Sequence, residues 1–225
     1  MNPVLRGSAA HVFVDSLAAP VLSEEDEHHL RRVLRIRDSD LITVSDGAGQ
    51  WVTARLTVDG VTVDSEPTTV DAPHPATIVS AIPKGDRPEW IVQKLTEVGA
   101  TSIGFMDCAR SVVRWDAARA ARQRERLRRV AREAAMQSRR VWLPQLVDVV
   151  SFDEVIKTIS CAIADPDGDD LSADVDTILV GPEGGFTEGE LRSVDRRVRL
   201  AANVLRVETA ALTAAILLTQ RHLQT

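Results

Sequence analysis

The segment Gly181-Pro182-Glu183-Gly184-Gly185-Phe186 follows the apolar run Ile178-Leu179-Val180 and leads into Thr187, a helix-capping residue type. A buried strand running into a glycine-rich turn and then a helix marks the place where open parallel sheets bind ligands. Glycines there let the backbone approach a ligand closely or take positive φ. No Gly-Lys-Ser/Thr follows, so the turn is not a phosphate-cradling loop, and its spacing does not fit the dinucleotide Gly-x-Gly-x-x-Gly. Glu183 would repel a phosphate and tolerate a cation. That favours a cationic ligand such as the sulfonium of S-adenosylmethionine. Taken alone, the turn fits a plain strand-to-helix connection equally well.

A second stretch runs from Leu200-Ala201-Ala202-Asn203-Val204-Leu205 into Arg206-Val207-Glu208-Thr209 and an apolar helix. Arg206 and Glu208 stand at the helix entrance, where an Arg–Glu pair is often only a cap with a surface ion pair. Two further candidates follow strand runs: Ile82-Pro83-Lys84-Gly85-Asp86-Arg87, and Arg110-Ser111.

The net charge of −6 hides a segregation. Residues 117–140 hold nine arginines and two glutamates, a local balance of +7 that leaves −13 for the rest. A basic face on an acidic protein suits an anionic partner. Arg31-Arg32-Val33-Leu34-Arg35-Ile36-Arg37 is a second basic cluster. A solvated helix face accounts for either run alone; phosphate contact is the rival. Arginine outnumbers lysine 24 to 3, and its planar fork suits phosphate, although a GC-rich genome would give the same bias.

The five histidines and two cysteines form no metal-ligand or triad spacing, which speaks against a metal site and a Ser/His hydrolase. No apolar run is long enough for a membrane span. The N-terminus lacks a signal-peptide pattern, so a reducing cytoplasm is expected.

The elements that must position these residues fall into two parts. The first is β-rich: a strand at His11–Val14, a helix from Ser23 to Arg35 with Ser23 as cap, a strand at Leu41–Val44, and a hairpin of Trp51–Val58 and Val61–Val63 turning at Asp59-Gly60. Glu66 to Pro75, with three prolines, reads as a linker. Strands and helices then alternate. Strands are expected at Thr77–Ile82, Ser102–Met106, Cys161–Ala164, Thr177–Val180 and Arg199–Ala201. Helices are expected at Glu89–Val98 with Trp90, Ile91, Leu95 and Val98 inward, at Ala117–Arg139, from Ser151 to Ile159, from Thr187 to Arg196, and at Glu208–Leu223. Repeated β-then-α predicts a mostly parallel sheet covered on both faces.

In this order the segments resemble one family, the 16S ribosomal RNA uridine-N3 methyltransferases of the trefoil-knotted SPOUT class. The resemblance is carried by His29-Leu30-Arg31-Arg32-Val33-Leu34-Arg35, Asp46-Gly47, Lys84 through Gly99, Arg110-Ser111-Val112-Val113, Glu133-Ala134-Ala135-Met136-Gln137-Ser138, Gly181 to Phe186, and Val204 to Ala210. It implies a PUA-like β-barrel over residues 1–70 for RNA binding, an α/β knot methyltransferase domain over 71–225, and a homodimer. It implies S-adenosylmethionine as cofactor, in a pocket formed by Leu179, Gly181, Pro182, Glu183, Gly184, Gly185, Leu200, Ala201, Asn203, Val204, Leu205 and Thr209.

The expected RNA-binding side chains are Arg31, Arg32, Arg35, Lys84, Arg87 and Arg139. Arg206 and Arg110 are expected to stabilise the uracil anion, and Glu208 to take the N3 proton or orient Arg206. Methylation at another RNA position, ribose 2′-O or guanine N1, and a non-catalytic assembly factor remain the alternatives. The chain departs from the family at Ala201 and Arg139, where glycine is usual, and at Met136, where glutamate is usual.

Overall fold

The computed structural model describes residues 2–38, 40–58 and 60–221. Asp59 of the expected hairpin turn, and His222 and Leu223, lie outside them. The chain forms two compact units: Met1–Pro73 with Arg132–Leu143, and His74–Ala131 with Pro144–Thr225.

In the first unit, α1 (Pro3–Gly7) leads into β1 (Ala10–Phe13). Ser23 then caps α2 (Glu24–His28), its Oγ accepting from Asp26 N at 3.1 Å. The expected helix does not run on as one piece; a π-helical turn, His29–Val33, follows. β1 pairs in parallel with β2 (Leu41–Ser45), and β2 pairs antiparallel with β3 (Gln50–Thr57). β3 pairs with β4 (Gly60–Val63), as the hairpin reading expects, and at its start with β5 (Thr68–Thr69). The expected linker therefore contains two residues of strand. Val12, Leu30, Ile42, Val44, Val52, Ala54 and Leu56 form the core. Full burial stabilises each large aliphatic side chain by about 1.5–3 kcal/mol.

Arg132–Leu143 is bound into this unit by polar contacts. Arg132 makes a bidentate pair with Asp26, at 2.8 and 2.7 Å, and donates to Phe13 O at 2.9 Å. Burial raises the Asp26 pKa, but hydrogen bonds from Arg132 and Ser23 outweigh it and hold the carboxyl below its ordinary value. His11 is buried, with Nδ1 2.8 Å from Thr43 Oγ1 and Nε2 2.8 Å from Arg140 O.

The second unit is built on strands β6 (Thr77–Ala81), β7 (Ser102–Asp107), β8 (Gln145–Leu146), β9 (Val150–Ser151), β10 (Ala162–Asp169), β11 (Thr177–Val180) and β12 (Arg197–Val198). They lie in the order β12-β10-β11-β6-β7-β8 with β9 also on β7, and every pairing is parallel. The helices are α3 (Arg87–Val98), α4 (Ala117–Gln137), α5 (Phe152–Thr158), α6 (Glu188–Arg192) and α7 (Val207–Gln220). α4 begins in this unit and ends in the first.

Side chains alternate across the sheet, as period-2 strands require. Ile78 and Ile178 join one core with Leu95, Ala211 and Leu218; Val79 and Leu179 join the other with Phe152 and Phe186. Ser151 and Thr187 each form a full capping box, with Glu154 and Glu190.

Several expectations shift. Trp90 is 38% exposed, and Val92 takes its place on the inner face of α3. β10 runs on to Asp169, α6 ends at Arg192, and the last strand is Arg197–Val198 instead of Arg199–Ala201. Pairing with β10 selects that register, a tertiary effect that local alternation does not encode.

Candidate active site

All seven strands being parallel, the loops after β6, β7, β10 and β11 emerge at the same edge of the sheet. A cavity of about 280 Å³ lies there, walled by the turn after β11, Ala164 to Pro166 within β10, and the loop into α7. Of the expected donor-pocket residues, Gly181, Pro182, Glu183, Gly185, Leu200, Ala201, Asn203, Val204 and Leu205 line it. Leu179, Gly184 and Thr209 do not: Leu179 is fully buried in the core, and Thr209 is exposed on α7. Sequence reasoning missed Ala164-Asp165-Pro166 and Leu191. The available signal was the Asp-Pro step after the apolar Ala162-Ile163.

Two glycines in the turn answer definite needs. A Cβ on Gly181 would sit 2.8 Å from the Phe186 ring, closer than real contacts allow. Gly185 has φ of +68°, the left-handed region where a side chain is strained. Ala201 does not have positive φ; among the described residues only Arg35 and Arg139 do so without being glycine. The alanine at 201 therefore carries no left-handed strain. Arg139 does, at +59°, and its guanidinium binds Met136 O at 3.1 Å and Ser8 O at 3.0 Å. Met136 packs partly buried against the core of the first unit, its Sδ 3.3 Å from Arg132 Nη1.

The charge of the cavity wall is one-sided. Asp165 and Glu183 line it, and no lysine or arginine does. Asp165 accepts from Asp167 N at 2.9 Å and stands 3.5 Å from Arg197. The rest of the wall is largely apolar, with Val180, Leu200, Leu205 and Ala210.

The neighbouring loops are tied to this turn. Arg110 Nη1 donates to Gly184 O at 3.0 Å and to Phe186 O at 3.1 Å. Glu190 Oε1 accepts from Ala109 N at 2.8 Å while its other oxygen completes the α6 cap. Arg110 is thus committed to the turn's carbonyls. Cys108, in the same loop, is no thiolate nucleophile, since burial and the nearby Glu190 charge push it up to about 12.

Glu208 lies at the start of α7, with Arg87 Nε 3.6 Å from its Oε1; its Oε2 is buried and unpartnered. Arg87 also stands 3.5 Å from Glu183 Oε1. The side chain expected to bind RNA therefore faces two carboxylates. Arg206, the residue before α7, is exposed and makes no side-chain hydrogen bond or ion pair with the described residues. Lys84 is likewise exposed and has no partner among the described residues.

In the first unit, Arg31 pairs with Glu27 at 2.8 Å and donates to Thr57 O. Arg32 and Arg35 are exposed with no partner among the described residues. Among those residues no group of His, Cys, Asp and Glu is arranged to hold a metal ion, and no helix is long and apolar enough to cross a membrane.

The RNA methyltransferase domain family matches residues 70–219, and the RNA methyltransferase PUA domain family matches residues 22–61. The ribosomal RNA small subunit methyltransferase E of Bacillus subtilis is 32% identical, with 86% of each chain covered. The protein of that name from Mycobacterium bovis is 30% identical over 90% of this chain and 88% of its own. Among solved structures, the Neisseria gonorrhoeae ribosomal RNA small subunit methyltransferase E, bound to S-adenosyl methionine, superposes with a TM-score of 0.80 at 26% identity, covering 94% of this chain and 97% of that one. A Legionella pneumophila methyltransferase in complex with the same cofactor also gives 0.80, at 25% identity and the same coverage. The chain belongs to the family of ribosomal RNA small subunit methyltransferases E.

Proposed function

We propose that the protein transfers the methyl group of S-adenosylmethionine to N3 of a uridine in 16S ribosomal RNA of the small ribosomal subunit. The observation that carries this reading is the donor cavity, which has two carboxylates, an apolar wall and no basic side chain. Such a lining suits a sulfonium with an adenosine body and disfavours a nucleotide phosphate. The sulfonium donor supplies an electrophilic methyl group. Backbone groups of Gly181, Glu183 and Gly185 on one side, and of Leu200 to Leu205 on the other, hold it. In this reading residues 1–70 form an RNA-binding PUA-like barrel and residues 71–225 a knotted catalytic domain that works as a homodimer; the family matches over residues 22–61 and 70–219 support the PUA and methyltransferase assignments alone.

The chain's own side chains handle the uracil. N3 carries a proton and becomes nucleophilic when it is lost. Arg206, at the entrance of α7 and without a side-chain partner among the described residues, stabilises the resulting anion. Glu208 has one oxygen without a partner and takes the N3 proton once the base is in hydrogen-bond reach. Arg87 holds the other oxygen and so acts as a positioning residue. Arg110 positions the turn through Gly184 O and Phe186 O. Arg31, Arg32, Arg35 and Arg139 of the first unit, and Lys84 of the second, supply positive charge for RNA phosphates.

The test is incubation with unmodified small ribosomal subunits and labelled donor, followed by mass mapping of the modified nucleotide. N3-methyluridine is expected. Label on a ribose oxygen or on a guanine would overturn the assignment of the target atom.

A further inference from the structure

A second cavity, of about 360 Å³, opens at the same edge of the sheet and has the opposite charge. Its walls are Pro83-Lys84-Gly85 after β6, Val112 to Trp115 after β7, and Arg119 and Gln123 of α4. Lys84, Arg114 and Arg119 line it, and no carboxylate does. Lys84 and Arg119 are exposed and make no side-chain hydrogen bond or ion pair with the described residues. Arg114 donates once, to Cys108 O at 3.3 Å. Val112 is 72% exposed and offers an apolar contact. Gln123 Oε1 is buried without a partner. An acceptor left in that state costs free energy, and the terminal torsion of glutamine is soft, so the amide can turn to a donor in the cavity.

The same two loops contact the turn that walls the donor cavity. Arg87 follows Lys84 and contacts Glu183 and Glu208; Arg110 precedes Val112 and contacts Gly184 and Phe186. A ligand in the cationic cavity is therefore held by loops that also shape the donor turn.

Building on the methyltransferase reading above, we infer that this cavity seats one RNA nucleotide adjoining the target uridine. Lys84, Arg114 and Arg119 neutralise its phosphate, Val112 meets a face of its base, and Gln123 accepts from an N–H on the base edge. The volume suits a single nucleotide, at the small end of ligand sites. Lys84 and Arg119, without side-chain partners among the described residues, in a lining that holds no carboxylate, suit phosphate contact. An unpartnered amide acceptor adds base selectivity, since losing a hydrogen bond to a buried polar group is penalised.

The experiment compares the wild type with Lys84→Ala/Arg119→Ala and with Gln123→Leu. Binding to unmodified small ribosomal subunits is followed across salt concentrations, alongside methyl transfer and S-adenosylmethionine affinity by calorimetry. The double variant is expected to bind subunits about ten-fold more weakly, with the salt slope reduced by about 1.5, at unchanged donor affinity. Gln123→Leu is expected to raise KM for subunits while the salt slope stays.

Unchanged subunit affinity and slope in the double variant, with a folded protein by thermal melting, would overturn the inference. Should the double variant lose its fold, Arg119→Glu alone, on the exposed face of α4, carries the same expectation. The two readings fail differently. A wild type that transfers no methyl group to N3 refutes the proposed function. A wild type that does so, while the variants bind RNA as well as it does, refutes only the cationic cavity.

Discussion

Arg87 stands between Glu183 and Glu208, 3.5 Å from an oxygen of the first and 3.6 Å from an oxygen of the second. One guanidinium thus links the turn after β11 to the first turn of α7. Replacing it with alanine frees both carboxylates. In Arg87→Ala, kcat for methyl transfer is expected to fall at least about ten-fold, because Glu208 loses its orientation, while the fold persists. Arg87→Lys keeps the charge but not the fork and should recover part of the rate. A changed KM for subunits with unchanged kcat would instead mean that Arg87 binds RNA and positions nothing.

Gly181 is packed too closely by Phe186 to accept a side chain. Gly181→Ala should push the ring or the turn aside. The expected cost is about 1–3 kcal/mol of stability, with donor affinity down about ten-fold or more in calorimetry. Gly184→Ala is the control: its added Cβ would meet Arg110 only at 3.5 Å, an ordinary contact, and its φ is not positive. Donor binding by that variant should stay close to the wild type.

Arg110 and Glu190 latch the loop after β7 to the turn after β11. Loss of Arg110's two hydrogen bonds should lower stability by about 1–3 kcal/mol in denaturant unfolding. If Arg110 acts by positioning, Arg110→Ala weakens donor binding and turnover together. Lost turnover with intact donor binding would point to direct contact with the uracil.

Arg139 combines a left-handed backbone, φ +59°, with hydrogen bonds to Ser8 O and Met136 O. Arg139→Ala loses the bonds and keeps the backbone cost. Arg139→Gly loses the same bonds and removes that cost. The glycine variant should therefore be the more stable of the two by about 1 kcal/mol, measured by chemical denaturation. Equal stabilities would show that the φ angle is not strained.

His11 sets a pH limit on the first unit. Burial lowers its pKa from 6.5 to about 4; the carbonyl of Arg140 acts in the opposite sense, and the Arg139 charge adds to the lowering. The folded state keeps the ring neutral, so the unfolded chain takes up a proton first as pH falls. Stability from this group is complete above about pH 6.5 and is lost between there and pH 4. Unfolding at pH 4.5 should be easier than at pH 7 by on the order of 2–3 kcal/mol from His11 alone. Denaturant midpoints of the wild type and His11→Gln across this range isolate that share. A variant with the wild-type pH slope would exclude His11 as its source.

The donor turn was legible because everything it needs is local: an apolar strand, glycines and a capping threonine within ten residues. The parallel sheet was legible for a similar reason, through repeated β-then-α spacing. Asp165 was not, because its place on the cavity wall depends on β10 lying beside β11. Arg87 read as a free cation in sequence; its two carboxylate neighbours are 96 and 121 positions further along the chain. Trp90 fits a helical stripe, yet Val92 packs inside in its stead, since periodicity fixes the face only to within a residue.

Val207 and Ala210 of α7 form part of the donor cavity wall, and Ala211, Ala214, Ala215 and Leu218 of the same helix sit fully buried in the core. The last helix thus serves both the core and the cavity wall. Docking of this helix therefore closes one wall of the donor cavity and ties cofactor binding to the packing of the sheet's core.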